Sequence, residues 1–246
     1  MVKNIDHQAR RRLVLNATIN RYIVTAEPIS SEEIAKEFNL SSATMRNILA
    51  ELEREGYLTH PYTSAGRVPT NKGYRYYVDF LTQQIDLLDE EKNKIIQKYQ
   101  EGIRRLEDAL EQTSQIIAQI THYAGIVSFL EWQDKLFYQG LSRVLEQPEF
   151  QDSRKIKSLI KILEERRRIL EIVNRDFSEK VKVYIGQELG FPEISECSLI
   201  VSSYWCKKKP QGKIAVLGPM RMDYEHIIPT ISYISDVLSD FLERLE

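Results

Sequence analysis

The spacing of apolar residues changes at His122, and no other feature of the sequence constrains the fold as much. Before His122 the apolar residues recur every three or four positions, which is the spacing of amphipathic helices. After His122 short apolar runs of strand length alternate with polar turns and further helical segments. The 246 residues are enough for more than one core. We therefore predict a multidomain α+β protein.

The first 80 residues predict three helices followed by a strand, a flexible tip and a second strand. Ser30 and Glu33 have the spacing of a capping box, and Gly56 is a typical helix stop. The helices are predicted over residues 7–25, from Ser30 to Phe38, and from Ser41 to about Glu55. This order is typical of a winged helix-turn-helix DNA-binding domain, which we assign to residues 1–80.

A long apolar stripe follows this domain. Of the eleven positions with three–four spacing between 85 and 120, all are apolar or Tyr except Lys92 and Thr113. The flanking positions are rich in Glu, Lys, Gln and Arg. The pattern predicts a long amphipathic linker helix or helical hairpin over 81–122, and the narrow stripe favours self-association as a coiled coil. The alternative is a helix that packs along its own domain.

Residues 123–246 predict an α+β domain with a small antiparallel sheet. Strands are predicted over 124–132, 136–138, 181–185, 199–205 and 213–217. The polar turn 207–212 joins the last two strands, which indicates an antiparallel hairpin. A helix is predicted over 152–174, and a final helix carries apolar residues at three–four spacing from Ile227 to Leu245.

Charge, cysteine count and the lengths of apolar runs limit the classes of function that this protein can have. The net charge is −2, with 11 Lys/Arg against 9 Asp/Glu in residues 1–82 and 23 against 27 in the rest. The net charge is therefore positive in residues 1–82 and negative in the rest, which favours the N-terminal part as the part that binds a polyanion. Two cysteines cannot form a disulfide framework. No apolar run has the length of a membrane span, and the N-terminus lacks an apolar signal core. We therefore expect a cytoplasmic protein without a membrane partner.

The third predicted helix and the tip carry the side chains best suited to DNA. Arg can bind guanine with two hydrogen bonds, Asn can bind adenine, and small hydroxyls reach phosphates. A flexible tip with one guanidinium can lie along a narrow minor groove, which we expect for Arg67. The candidate contacts are Ser41, Ser42, Thr44, Met45, Arg46, Asn47, Thr63, Ser64, Gly66, Arg67, Lys72 and Arg75. A winged helix that binds protein instead of DNA is the alternative.

Residue patterns for catalysis are weak. His7, His60, His122 and His226 lack metal-ligand spacing, and no glycine-rich phosphate loop is present. The run 221–226 groups several titratable residues after a strand, which fits packing at a helix start better than catalysis. We predict that the protein is not an enzyme and needs no cofactor or metal.

Several runs resemble one known family. These runs are Ser41-Ser42-Ala43-Thr44-Met45-Arg46-Asn47, Thr63-Ser64-Ala65-Gly66-Arg67-Val68-Pro69-Thr70, Gly73-Tyr74-Arg75, Gln147-Pro148-Glu149-Phe150, Ile185-Gly186-Gln187-Glu188 and Gly218-Pro219-Met220-Arg221-Met222-Asp223-Tyr224. They resemble the HrcA heat-inducible transcription repressors, in the same order along the chain. The resemblance implies a winged helix followed by a GAF-like domain, which would be residues 123–246.

The resemblance also implies a function. Such a protein would bind an inverted-repeat operator of chaperone genes as a homodimer and lose repression on heat stress. A GroEL-type chaperonin would be a possible partner that helps to maintain its active form. Tyr62 and Met220 stand where the family usually has His and Thr, and few residues separate Phe129 from Leu136. We therefore expect a shortened variant that lacks most of the inserted dimerising domain, and in which the helix over 83–121 takes more of the dimerisation. A ligand-sensing regulator acting through the GAF-like domain is the alternative.

Overall fold

The chain divides into two compact units, Met1–Gln83 and Gln84–Glu246. The computed structural model describes residues 7–62, 65–82, 86–99, 105–132, 135–207 and 209–245. The boundary lies close to the predicted end of the first domain at residue 80. The predicted intermediate segment 81–122 falls almost entirely within the second unit.

The described part of the first unit has the predicted order of helices and strands. Its elements are α1 (His7–Thr25), α2 (Ser31–Phe38), α3 (Ser42–Arg54), β1 (Leu58–Thr59), β2 (Val68–Pro69) and α4 (Asn71–Leu81). The two short strands are antiparallel, with Leu58 opposite Pro69 and Thr59 opposite Val68. The core is formed by apolar side chains from all four helices and β1, among them Val14, Ile19, Ile34, Met45, Leu49, Leu58 and Val78.

Local hydrogen bonds set the helix ends of this unit. The Ser30 hydroxyl accepts from the Glu33 amide at 3.3 Å, and the Glu33 carboxylate accepts from the Ser30 amide at 2.8 Å. Hydrogen bonding of the Glu33 carboxylate with the Ser30 amide, and then with the Ser30 hydroxyl, holds the pKa of Glu33 below its usual range. Asn39 ends α2 with φ 52°, and the left-handed conformation permits the tight turn into α3. The predicted capping box is therefore confirmed.

The second unit is an α+β domain with one antiparallel sheet. Its helices are α5 (Asp89–Tyr99), α6 (Leu106–Thr121), α7 (Leu141–Leu145), α8 (Ser153–Glu164), α9 (Arg166–Val173) and α10 (Tyr224–Leu245). Its strands are β3 (Ala124–Phe129), β4 (Leu136–Gln139), β5 (Val181–Ile185), β6 (Cys197–Cys206) and β7 (Lys209–Pro219). Three short 3-10 helices lie at Pro148–Phe150, Gly186–Leu189 and Pro192–Ile194. The strand order is β4-β3-β7-β6-β5, with every neighbouring pair antiparallel.

Helices cover both faces of this sheet. Apolar side chains of one face, such as Ile126 and Leu217, share a core with those of α7, α8 and α9. The opposite face packs against α6 and α10. There Gly125 allows α6 to approach, because a Cβ at this position would lie 2.4 Å from the carbonyl oxygen of Ser114. Ser202 on β6 donates to the Ser235 hydroxyl on α10 at 2.9 Å.

For the segment 81–122 the prediction of one long helix is wrong, and the predicted alternative of a helical hairpin is the form observed. Helix α4 ends at Leu81, and the stripe is divided between α5 and α6. The Tyr99 and Thr113 hydroxyls are 2.8 Å apart, and Lys98 Nζ donates to Gln119 Oε1 at 2.6 Å. A continuous helix would separate Lys98 from Gln119 by about 30 Å. The two helices therefore fold back on each other.

The stripe residues that lie on the inner sides of α5 and α6 are buried within their own domain, which corrects the prediction of a self-pairing helix. Leu88, which precedes α5, is exposed. Ile95 is 1% exposed, and Leu110 and Ile117 are fully buried. Thr113, a polar exception in the stripe, is also buried, because its hydroxyl donates to the Ala109 carbonyl at 2.7 Å. The alternative of a helix packed along its own domain is the one observed.

The predicted helix over 152–174 is also divided. It becomes α8 and α9, with a break at Glu165, where ψ is 65°. Arg168 at the start of α9 donates to the Glu165 carboxylate at 2.9 Å and to that of Glu193 at 3.0 Å.

Among the described residues, no helix combines the length and the apolar character that crossing a membrane requires.

Candidate nucleic-acid interface

Helix α3 begins at a polar cap. Ser41 lies before the helix with extended backbone angles, and its hydroxyl oxygen accepts from the Thr44 amide at 3.1 Å. The Ser41 and Thr44 hydroxyls lie 2.8 Å apart. This cap fixes the first turn of α3, and the positive end of the helix dipole lies there.

The next turns of α3 separate into two faces. Ala43, Thr44, Arg46 and Asn47 are exposed, whereas Ser42 is half-buried. The opposite face is buried and consists of Met45, Ile48, Leu49 and Leu52. Arg46 and Asn47 therefore present a guanidinium and an amide to the surrounding solvent, from a helix whose back is anchored in the core.

Met45 does not belong to the exposed face. Its side chain is 0% exposed and packs in the core of the first unit. It lies about 100° from each sequence neighbour around the helix axis, on the apolar side. We correct the prediction of a DNA contact at Met45 for this reason.

The segment between β1 and β2 is attached to the loop between α1 and α2. Ile29 and Arg67 form an isolated antiparallel bridge, with N–O distances of 2.9 and 2.8 Å. Gly66 is required at this contact, since a Cβ there would lie 2.6 Å from backbone atoms of Pro28 and Ile29. The predicted contacts Thr63 and Ser64 lie outside the described residues.

Arg67 is tied to α3 and is not extended into solvent. Its Nε lies 3.7 Å from Glu53 Oε2, and its side chain is 13% exposed. The same carboxylate oxygen lies 3.2 Å from His60 Nε2. Glu53 and His60 were not among the predicted site residues. No local pattern pairs a helix residue with a strand-end residue, so only the packed structure reveals this cluster.

Lys72 and Arg75 on α4 are held by nearby acceptors. Lys72 Nζ donates to the Glu55 carbonyl at 2.8 Å and lies 4.5 Å from the centre of the Tyr57 ring. Arg75 Nη1 donates to Asp79 Oδ1 at 3.4 Å. Lys72 is exposed and Arg75 half-buried, so both charges remain near the surface. Neither residue belongs to α3. Lys72 lies beside the C-terminal end of that helix.

The titratable run 221–226 has a structural role. Arg221 Nε donates to Glu149 Oε1 at 2.5 Å, and Arg221 Nη2 donates to Gln147 Oε1 at 2.9 Å. The Tyr224 hydroxyl donates to the Met220 carbonyl at 2.6 Å and lies 2.8 Å from the Ser198 hydroxyl. Two of the runs that carry the family resemblance, 147–150 and 218–224, are therefore joined by one ion pair.

A groove of the second unit lies beside α8. It has a volume of about 310 Å³ and lies between α8 and the 3-10 helix Pro192–Ile194. Charged residues that line the groove form two ion pairs with each other, Asp152 with Arg154 and Lys155 with Glu196. Across the part of the chain that the structure describes, no group of three or more His, Cys, Asp or Glu side chains is arranged to hold a metal ion.

Comparison with known proteins identifies relatives over nearly the whole chain. The heat-inducible transcription repressor HrcA of Pelotomaculum thermopropionicum is 28% identical over 337 aligned positions, covering 96% of this chain and 97% of the relative. The HrcA repressor of Geobacter sulfurreducens is 29% identical over 340 positions, covering 97% and 99%. Since this chain has 246 residues, at least 91 of the 337 positions hold no residue of it. The chain is therefore a shortened relative.

A solved structure shares the fold. The crystal structure of a hypothetical protein superposes with a TM-score of 0.80 at 17% identity, covering 96% of this chain and 99% of that one. Residues 128–228 match the family model described as the HrcA protein C terminal domain. Together with the relatives that align over nearly the whole chain, this match shows that the chain is similar to the HrcA repressors along most of its length.

Proposed function

We propose that this protein is a heat-inducible transcription repressor that binds an inverted-repeat operator of heat-shock or chaperone genes as a homodimer. The family relatives carry the name of heat-inducible transcription repressors. The observation that carries the DNA part is the exposed face of α3. It offers Thr44, Arg46 and Asn47 on a capped helix with a buried apolar back.

In this proposal the first unit is a winged helix-turn-helix and α3 is its recognition helix. Arg46 and Asn47 read base edges in the major groove, where bidentate contacts to guanine and adenine carry specificity. Ser41, Ser42 and Thr44 bind phosphate at the helix N-terminus. Thr63, Ser64 and Gly66 contact the DNA backbone as part of the wing, and Arg67, Lys72 and Arg75 contribute positive charge to the first unit.

The remaining parts of the proposal rest on the similarity to the HrcA repressors. The second unit is a GAF-like domain, the repressor is inactivated by heat stress, and a GroEL-type chaperonin helps to maintain its active form. Two-fold symmetry of the dimer would match two recognition helices to two half-sites. We do not assign the dimer interface to the stripe in α5 and α6, since that stripe is buried within its own unit.

DNA-binding anisotropy tests the proposal. An inverted-repeat duplex from a chaperone promoter is compared with a scrambled duplex near physiological salt. We expect a preference of at least about 10³-fold and two chains per site. Equal weak binding to every inverted repeat tried would contradict a sequence-specific repressor.

One pair of variants tests the role of α3. Arg46→Ala should weaken specific binding by about 1–3 kcal/mol and relax the base preference. Arg21→Ala is the matched control, because Arg21 is also an exposed helical arginine but lies on α1. An equal loss on specific and scrambled DNA for Arg46→Ala would argue against base reading.

A further inference from the structure

We propose that Thr70 and Lys72 are positioning residues for DNA recognition, because they lock the C-terminal end of α3 to the start of α4. The lock fixes the direction in which α3 presents Arg46 and Asn47. The DNA part of this inference rests on the proposed function, in which α3 reads base edges. The lock itself is a property of the first unit and can be measured without DNA.

The chain turns sharply where α3 ends. Gly56 has φ 79°, and its amide donates to the Glu53 carbonyl at 2.9 Å. The Tyr57 amide donates to the Leu52 carbonyl at 3.0 Å. These two bonds form a Schellman motif, which satisfies carbonyls of the last helical turn. The carbonyls of Glu55, Gly56 and Tyr57 are not part of this motif, so their partners come from outside the helix.

Each of these three carbonyls receives a hydrogen bond from a residue at the start of α4. The Thr70 hydroxyl donates to the Gly56 carbonyl at 2.6 Å, and the Thr70 amide donates to the Tyr57 carbonyl at 3.1 Å. Lys72 Nζ donates to the Glu55 carbonyl at 2.8 Å. The Lys72 charge thereby lies at the negative end of the α3 dipole. The end of one helix is closed by the beginning of the other over three consecutive residues.

The Thr70 hydroxyl has a second contact, because Thr70 is also the N-cap of α4. Its oxygen accepts from the Gly73 amide at 3.2 Å, and it lies 3.2 Å from the Tyr57 carbonyl oxygen. A hydroxyl has one donor and two acceptor sites, so it can cap α4 and bind the Gly56 carbonyl at the same time. Gly73 permits the close approach, since a Cβ there would lie 2.3 Å from the Tyr57 carbonyl oxygen.

The side chains hold what the backbone leaves free. The bond from the Thr70 amide to Tyr57 does not depend on the side chain, but it does not hold the Gly56 carbonyl. Glycine is the residue whose backbone torsions change most easily, and no described atom beyond its chain neighbours lies within 4 Å of a Cβ built at Gly56. Loss of the hydroxyl should therefore leave α3 folded but less precisely oriented. Base reading needs positions held within about 0.5 Å, whereas phosphate binding depends mainly on charge.

Thr70→Ser and Thr70→Asp separate the lock from the helix cap. Serine keeps both hydrogen bonds of the hydroxyl. Aspartate keeps the cap, because it accepts from the Gly73 amide, but it has no proton to donate to the Gly56 carbonyl. Thr70→Ser should keep the wild-type ratio of operator affinity to scrambled-duplex affinity. Thr70→Asp should lower this ratio about tenfold, which is the size of losing contact with one base pair.

Ser30→Asp is the matched control, since Ser30 is the N-cap of α2 and the substitution adds the same charge to the first unit. Added charge alone weakens binding to both duplexes and should leave the affinity ratio unchanged. Thermal unfolding establishes that each variant is folded. An unchanged ratio for a folded Thr70→Asp protein would overturn the inference.

Lys72→Met distinguishes a positioning lysine from one that binds phosphate. Loss of a phosphate contact weakens binding to every sequence and reduces the salt slope by about 1. We expect instead a larger loss on the operator than on the scrambled duplex, with an unchanged salt slope on the scrambled duplex. An equal loss on both duplexes together with a smaller slope would remove Lys72 from the lock.

Amide hydrogen exchange tests the lock without DNA. The amides of Gly56 and Tyr57 are hydrogen-bonded to the end of α3, and in Thr70→Asp they should exchange at least about tenfold faster than in wild type. The Leu40 amide, which donates to the Ala35 carbonyl at the end of α2, should keep its rate. Unchanged exchange at Gly56 and Tyr57 would overturn the lock, whatever DNA does. Failure of every duplex to bind would instead contradict the proposed function, and the exchange rates would still decide on the lock.

Discussion

Helices α3 and α6 are both amphipathic, yet their surroundings differ. In α3 the apolar face of Met45, Ile48, Leu49 and Leu52 is buried in the first unit, and the polar face remains exposed. In α6 the apolar stripe that resembles a self-pairing seam packs on the sheet and on α5. A narrow apolar stripe therefore predicts burial, but it does not identify the surface that provides the burial.

The difference arises from the partners available in each unit. The small core of the first unit needs only one face of α3, so Arg46 and Asn47 stay exposed. In the second unit a five-stranded sheet offers a wide apolar face that must be covered. Covering it with α6 and α10 leaves no stripe for a coiled coil.

The largest expected effect tests the burial of α6. Leu110→Ala should lower the free energy of unfolding by about 3–5 kcal/mol, because the removed side chain leaves a cavity in a packed core. Leu110 is 0% exposed, whereas Leu88, which belongs to the same predicted stripe, is 72% exposed. Leu88→Ala is the control and should change stability by no more than about 0.5 kcal/mol. Urea unfolding measures both. If Leu110→Ala kept its stability but became monomeric in light scattering, the result would support the hypothesis that the stripe forms the dimer interface.

Two neighbouring residues of α3 should give opposite results. Met45→Ala should cost about 2–4 kcal/mol of stability, since Met45 is fully buried. Arg46→Ala should alter stability by less than about 0.5 kcal/mol, because Arg46 is exposed. Thermal unfolding together with anisotropy on folded protein separates the two effects. Reduced DNA specificity for a well-folded Met45 variant would argue against the division of α3 into two faces.

Two ion pairs of the second unit allow the same comparison, because one arginine is largely buried and the other is exposed. Arg221→Ala should lower stability by about 1–3 kcal/mol, since it leaves Glu149 and Gln147 without their partner. The Arg221 side chain is 12% exposed, against 89% for Arg154 in its pair with Asp152. Arg154→Ala should therefore cost less than about 1 kcal/mol in the same denaturation experiment. Equal losses for the two variants would show that burial is not the deciding difference.

The smallest expected effect concerns Asp152 at the start of α8. Hydrogen bonds from the Arg154 side chain and amide lower the pKa of Asp152 from 3.8 to about 2. Because the pKa is lower in the folded state, the stabilising contribution is present above about pH 4 and is lost as the pH falls towards 2. The difference in melting temperature between wild type and Asp152→Asn should therefore shrink on acidification. A difference that stays constant down to about pH 2 would contradict this origin.

Short-range features of the fold were predictable from the sequence. The capping box of Ser30 and Glu33 joins residues three apart, so its hydrogen bonds form wherever this helix forms. The order of helices and strands in the first unit and the hairpin between β6 and β7 follow from spacing and turn residues in the same way. The polar face of α3 was also predictable, apart from Met45, because the helix period places neighbouring residues on different sides.

The candidate site was predictable only in part. Arg67 was expected in a minor groove, but in the structure it faces Glu53, which lies on a different element. The sequence around His60 has no metal-ligand spacing that would mark it as a site residue, although in the structure its ring faces groups from both the tip and α3. Long-range partners such as these depend on how the elements pack, and no periodicity in the sequence encodes them.

The sequence alone determined the helical or extended character of the segments with clear apolar spacing, where several helices begin, and which faces are apolar, because these depend on residues within a few positions of one another. The tertiary structure decided which surface covers each apolar face and which charge meets which partner. It folded α5 back on α6, and it paired Arg221 with Glu149, 72 positions away in the sequence. Such contacts form only when packing of the whole unit offsets the entropy lost in closing long loops.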